Sequence, residues 1–114
     1  MTMNEAISII DEIKPNAYST EDKIRWLNDI NGRISLTVHN NAEYNRIENP
    51  DETLPVQSPY ENIYILYLTA MIDYNNEESG LYANDISLFN NALDEYKKWY
   101  SKNAAKNGSI KNYW

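Results

Sequence analysis

Cysteine is absent from this 114-residue chain. That excludes disulfides, thiolate metal sites and cysteine nucleophiles, and it leaves the redox compartment open. Histidine occurs once, as His39 at an expected helix end, where a surface or terminal charge is a commoner role than catalysis. Basic residues are scarce: ten Lys and Arg stand against seventeen Asp and Glu, a net charge of −7. A protein that binds the phosphate backbone needs a basic face to release counterions, so no specific nucleic-acid binding is expected. No apolar run approaches the roughly 18 residues of a membrane span. The start, "MTMNEAISIIDEIK", has neither a basic leader nor a small-residue cleavage site. The expectation is a soluble protein made in the cytoplasm, with no membrane partner.

Motifs of reaction chemistry are missing as well. There is no phosphate-binding G-x-x-x-x-G-K-[ST], no G-x-G-x-x-G and no G-x-S-x-G. The segment "NPDET" lacks the alternating order of a calcium loop. Asp11 and Glu12, Glu21 and Asp22, Asp51 and Glu52, and Glu77 and Glu78 are sequence neighbours, which diverge on a helix and make poor paired carboxylates. The expectation is therefore no enzyme, no cofactor and no metal.

What the chain has is hydrophobic and aromatic patterning. Hydrophobic residues make up 42% of it, enough for one small domain with a single core. Asn occurs 17 times and Tyr ten, beside abundant Ile, which fits an AT-rich genome and says nothing of mechanism. Seven of the ten tyrosines and the only phenylalanine fall within residues 58–100.

The periodicity predicts an all-α domain of four helices over residues 1–102. Thr2 and Glu5 have capping-box spacing, with Ala6, Ile9, Ile10 and Ile13 on one face of a helix over 3–14 that Pro15 ends. Ser19 and Asp22 start a second helix, 20–39, with the stripe Ile24, Leu27, Ile30 or Asn31, Ile34 and Val38. Gly32 falls within it and reads as a close helix approach or a slight kink, or as a hinge. Residues 40–57 hold two prolines and no period, a long connection for a compact domain. Tyr44, Ile47, Leu54 and Val56 either pin this loop to the body or present it to a partner.

Ser58, Pro59 and Glu61 then read as an N-cap, first-turn proline and closing acid of a third helix, 59–76. Tyr60, Tyr64, Tyr67, Met71 and Tyr74 are spaced 4-3-4-3, and two further apolar stripes flank them. A helix apolar on three sides is a central one. Asp73 sits on its narrow polar strip, where an ion pair or a cap outranks acid–base work. The fourth helix, 78–102, carries Tyr82, Ile86, Phe89, Leu93, Tyr96 and Tyr100 at 4-3-4-3-4, with Leu81, Leu88, Ala92 and Trp99 on the flank. Heptad spacing on both sides of a short joint predicts a long antiparallel hairpin. Its tyrosines read as packing rather than as a ligand cage. Residues 103–114, with Gly108, lose the period and read as a flexible tail, in which Tyr113 and Trp114 are either an anchor or incidental.

The two long helices carry more apolar stripe than one seam covers. Trp26, Tyr44, Ile47, Leu54, Trp99 and Tyr100 are the candidates for an exposed interaction surface.

Two stretches taken together, "EAISIIDEIKPNAYSTEDKIRWLNDINGRI" and "LPVQSPYENIYILYLTAMIDYNNEESGLYANDISLFNNALDEYKKWY", resemble known proteins. The elements that carry the resemblance are KPNAYS leading into K-I-R-W-L, the L-P-x-x-x-P-Y entry, Y-L-x-A-x-I-D-Y-x-N-x-E and F-N-x-A-x-x-x-Y-x-x-W-Y. They are similar to small helical proteins from the structural-gene region of tailed bacteriophages and prophages of Gram-positive bacteria. Those are similar in size and helical make-up to head–tail connector (adaptor) proteins, which form rings beneath the portal and join head to tail. The resemblance implies a virion assembly protein with portal or tail-completion partners and a homo-oligomeric ring. It also implies residence in the host bacterial cytoplasm and then at the head–tail junction. It carries over no site residues, and the middle segment "TVHNNAEYNRIENPDET" departs from it. The alternative is a non-structural interaction module, a phage regulatory or packaging accessory protein that binds through the 40–57 loop.

Overall fold

The computed structural model describes residues 1–41 and 43–106. It is an all-α domain of four helices: α1 (Met3–Ile13), α2 (Thr20–Thr37), α3 (Asn62–Asn75) and α4 (Ser79–Lys106). Among the described residues the only β pairing is an isolated bridge between Thr2 and Thr53. No described helix is long and apolar enough to cross a membrane.

α1 starts at the expected capping box, with Thr2 and Glu5 each satisfying the other's backbone N–H. Its buried face is Met3, Ala6, Ile7 and Ile10 rather than the expected row through Ile9 and Ile13, which are 37% and 62% exposed. The run "AISII" contains two overlapping rows at helical spacing, and tertiary partners choose between them. Lys14, four residues after Ile10, extends the chosen row and places its ammonium 2.6 Å from Asp73 of α3.

α2 is capped by the Ser19 hydroxyl, which accepts from the Asp22 N–H. Leu27, Ile30, Ile34 and Val38 are buried as its stripe requires. Gly32 marks a close approach, although by a loop rather than a helix: a Cβ there would lie 3.4 Å from the Tyr44 ring. The loop after α2 is held to the body. Asn28 accepts from the Tyr44 hydroxyl at 2.7 Å and from the Ile47 N–H at 2.9 Å, while Leu54 and Val56 are wholly buried.

α3 begins three residues later than expected, and its predicted cap does not form. A turn precedes it, with the Tyr60 N–H donating to Gln57 C=O. Glu61 occupies the cap position without a side-chain bond to the helix. Its carboxylate instead accepts from the Met1 amino group at 2.8 Å, so a tertiary ion pair has displaced the local box. As its three stripes require, α3 is the central helix, burying Ile63, Tyr64, Ile65, Tyr67, Leu68, Ala70, Ile72 and Asp73. The Tyr64 hydroxyl donates to Asn31 of α2 at 2.8 Å and accepts from the Val56 N–H at 3.0 Å. That one phenol joins α2, α3 and the loop, and burial pushes its pKa far up.

α3 and α4 share the most extensive helix interface. Their joint is a Schellman turn, with Glu77 N–H donating to Tyr74 C=O and Glu78 N–H to Asp73 C=O. α4 has 28 residues against 14 in α3, about 42 Å against about 21 Å. It therefore runs well past the start of its partner. It continues through Lys106, four residues into the segment expected to be a flexible tail. Gly108, Tyr113 and Trp114 lie outside the described residues.

Phe89 is the clearest test of the hairpin seam. It is 2% exposed, with its ring 5.1 Å from that of Tyr67. Phe89→Ala should lower unfolding free energy in denaturant melts by about 3–5 kcal/mol. A loss below about 1 kcal/mol, the level of an exposed site, would contradict the packing.

Candidate interaction surface

The overhang of α4 is where the aromatic stripe outruns the seam. Tyr96, the next stripe residue after Leu93, is buried among a group of rings. Its centroid lies 5.4 Å from Tyr60, 5.9 Å from Trp99 and from His39, and 6.1 Å from Tyr100. Tyr60 also meets Trp99 at 5.3 Å, and His39 meets Tyr100 at 4.7 Å. Three chain segments converge: the end of α2 brings His39, the turn before α3 brings Tyr60, and α4 brings the rest.

His39 Nε2 and the Tyr96 hydroxyl are 2.7 Å apart. Burial lowers the pKa of His39 and pushes Tyr96 up to about 12, so both groups are neutral near pH 7 and the bond joins two uncharged partners. Trp99 remains 41% exposed, on a ridge between two grooves. One, of about 710 Å3, is lined by Tyr60, Trp99, Ser101, Glu95 and the lysines 97, 98 and 102. The other, of about 520 Å3, is lined by His39, Pro55, Tyr96, Trp99, Tyr100 and polar loop residues. Three lysines and Glu95 surround the exposed indole, and Lys98 is paired with Asp94 at 3.4 Å.

The structure divides the six sequence candidates into three pairs. Trp99 and Tyr100 come together at this end. Tyr44 and Ile47 come together on Asn28, each half-buried. Trp26 and Leu54 are core residues at 4% and 0% exposure, so the exposed surface expected of them is not there. Trp26 lies between Lys23 and Ile30 on a second row of α2, and Tyr18 covers it edge-on at 5.5 Å. Tyr60, Tyr96 and His39 were absent from the candidates. Their signal was the mismatch in helix length, which leaves the last turns of α4 beside whatever precedes α3.

Among the described residues, no three His, Asp or Glu side chains gather as a metal site. What the aromatic end offers is contact: amphipathic rings on rigid backbone, of the kind enriched where proteins meet. No protein-family model, curated protein or solved structure matches the chain.

The histidine gives this end a pH signature. Because its folded pKa lies below the unfolded value, the stability it contributes is present above about pH 6.5 and is lost as pH falls through that range. Asp85, raised chiefly by its neighbour Asp73, works in the opposite direction and is common to both proteins compared. The loss of stability between neutral pH and mild acid should be smaller in His39→Gln than in the wild type. Equal losses in paired denaturant melts would place the proton uptake elsewhere.

Proposed function

We propose that the chain works by protein–protein assembly, as a head–tail connector-like structural protein of a tailed bacteriophage. In this reading it is made in the host bacterial cytoplasm and seated at the portal, where copies form a ring and meet tail-completion proteins. The sequence resemblance over α1–α2 and α3–α4 supplies the biological setting. The observation that carries the assembly role is the cluster of Tyr60, Tyr96, Trp99 and Tyr100 on the overhang of α4, with Trp99 half in solvent. A net charge of −7 suits a body that must sit beside a passing duplex without adhering to it. The rival module, binding through residues 40–57, is less favoured because Ile47, Leu54 and Val56 of that loop pack on the core.

Co-sedimentation with portal particles from the same genome tests this reading. Wild type should pellet with the particles, and Trp99→Ala should weaken binding by at least about 2 kcal/mol, roughly thirtyfold, as for a central interface tryptophan. Trp99 is exposed on one side, so the variant keeps its core and loses the contact. Wild type and variant remaining equally in the supernatant would contradict the connector role.

A further inference from the structure

The outer face of α4 carries a second heptad row, of which the connector reading uses only Trp99. Leu81, Leu88, Ala92 and Trp99 recur at 7-4-7 spacing, each one position before the stripe that packs on α3. Leu81 is 49% exposed, Leu88 48% and Trp99 41%, whereas Phe89 and Tyr96 of the neighbouring stripe are buried. About half of each large side chain in the row therefore faces water. The row borders a groove between the two helices, where Leu66 of α3 meets Ala92 and Glu95.

Charge is segregated along the same helix. Residues 47–96 contain no Lys or Arg, while Lys97, Lys98 and Lys102 follow within two turns. Glu77 and Glu78 stand at the opposite end of α4. Neither they nor Lys97 and Lys102 form an ion pair among the described residues. Lys14 is engaged by Asp73, and Lys98 by Asp94. A carboxylate end and a lysine end, one helix length apart, complement each other when two copies run in opposite directions.

We propose that a second copy of this chain packs on this face, α4 against α4, antiparallel about a two-fold axis near Asn90. In that register Trp99 lies opposite Leu81 of the second copy, Ala92 opposite Leu88, and Lys102 opposite Glu78. Each contact occurs twice, because a two-fold interface is self-complementary. The remaining layer sets Asp85 against Glu95, two like charges that weaken the pair. The row is about 36 Å long and about 10 Å wide, so each copy buries about 400 Å2, half the ~800 Å2 of a standard interface. The pair is accordingly a weak one. It belongs to the free protein and does not rest on the connector reading, since Leu81 and Leu88 lie outside the aromatic end.

Sedimentation equilibrium of the full chain from about 10 μM to about 1 mM tests this, the range expected of so small an interface. Wild type should pass from monomer to dimer within that range and stop there. Leu88→Gln changes a half-exposed side chain and leaves the core intact. It should weaken pairing at least about tenfold, because both copies lose the contact. Glu95→Lys turns the one repulsive layer into an ion pair with Asp85 and should tighten pairing at least about fivefold. Glu48→Lys makes the same change of charge on a loop side chain that is 84% exposed. It should alter pairing less than about twofold in about 0.15 M salt. A loss in one variant and a gain in another cannot both come from misfolding. A wild type that stays monomeric to about 1 mM would leave the face to a different protein and overturn the proposal. Larger assemblies, unchanged association in Leu88→Gln, or equal tightening by both lysine variants would overturn it as well.

Discussion

α3 has almost no side to give to water, and the rest of the molecule follows from covering it. Its three apolar stripes need three partners. α4 covers one, α1 and α2 together cover another, and the segment through Leu54 and Val56 closes the remainder. The long connection after α2 is therefore part of the core wall, with two side chains that reach zero exposure. Tyr64 shows the constraint in one residue. A phenol so deep must find both a donor and an acceptor, and it takes them from Val56 and Asn31. Burying apolar surface set the arrangement, and the hydrogen bonds fixed its register.

The same constraint accounts for both ends of the hairpin. A short central helix paired with one twice its length leaves the longer one overhanging, and there its stripe must find rings instead of a helix. Tyr60, Tyr96, Trp99, Tyr100 and His39 form that substitute core, in which Tyr96 is 4% exposed and Trp99 41%. At the turn the problem is charge. Asp73 is carried into the interior on the buried helix, and an isolated carboxylate there would cost several kcal/mol, so Lys14 reaches across from α1. That ion pair also ties the end of α1 to the turn, as the bond from the Tyr18 hydroxyl to Asn76 ties the α1–α2 link.

How much of this was legible in the sequence depended on the range of the interaction. The box of Thr2 and Glu5, the Ser19 cap, the α2 stripe and the heptad spacing of the hairpin are local, and they were readable. The ion-pairing role of Asp73 was readable from its narrow polar strip, but its partner 59 positions away was not. The start of α3 misled because Ser58, Pro59 and Glu61 spell a cap, while Glu61 is taken by the Met1 amine. Ile9 and Ile13 misled because two rows overlap in α1, and only docking against α3 selects one. For the aromatic end, Trp99 and Tyr100 were visible as surplus. Tyr60 and His39 join them only once the chain is folded, through contacts with residues about 36 to 61 positions on.

The central claim is that α3 is the rigid member and that α4 is firm along α3 and exposed beyond it. Native-state hydrogen exchange reads this directly. The amides of Leu68 and Ile72 should exchange only through global unfolding, with protection free energies equal to the value from denaturant melts. The amides of Ser101 to Asn103 should exchange through a cheaper local opening of the overhang. Amides of α3 that exchange as readily as those at the end of α4 would contradict the account.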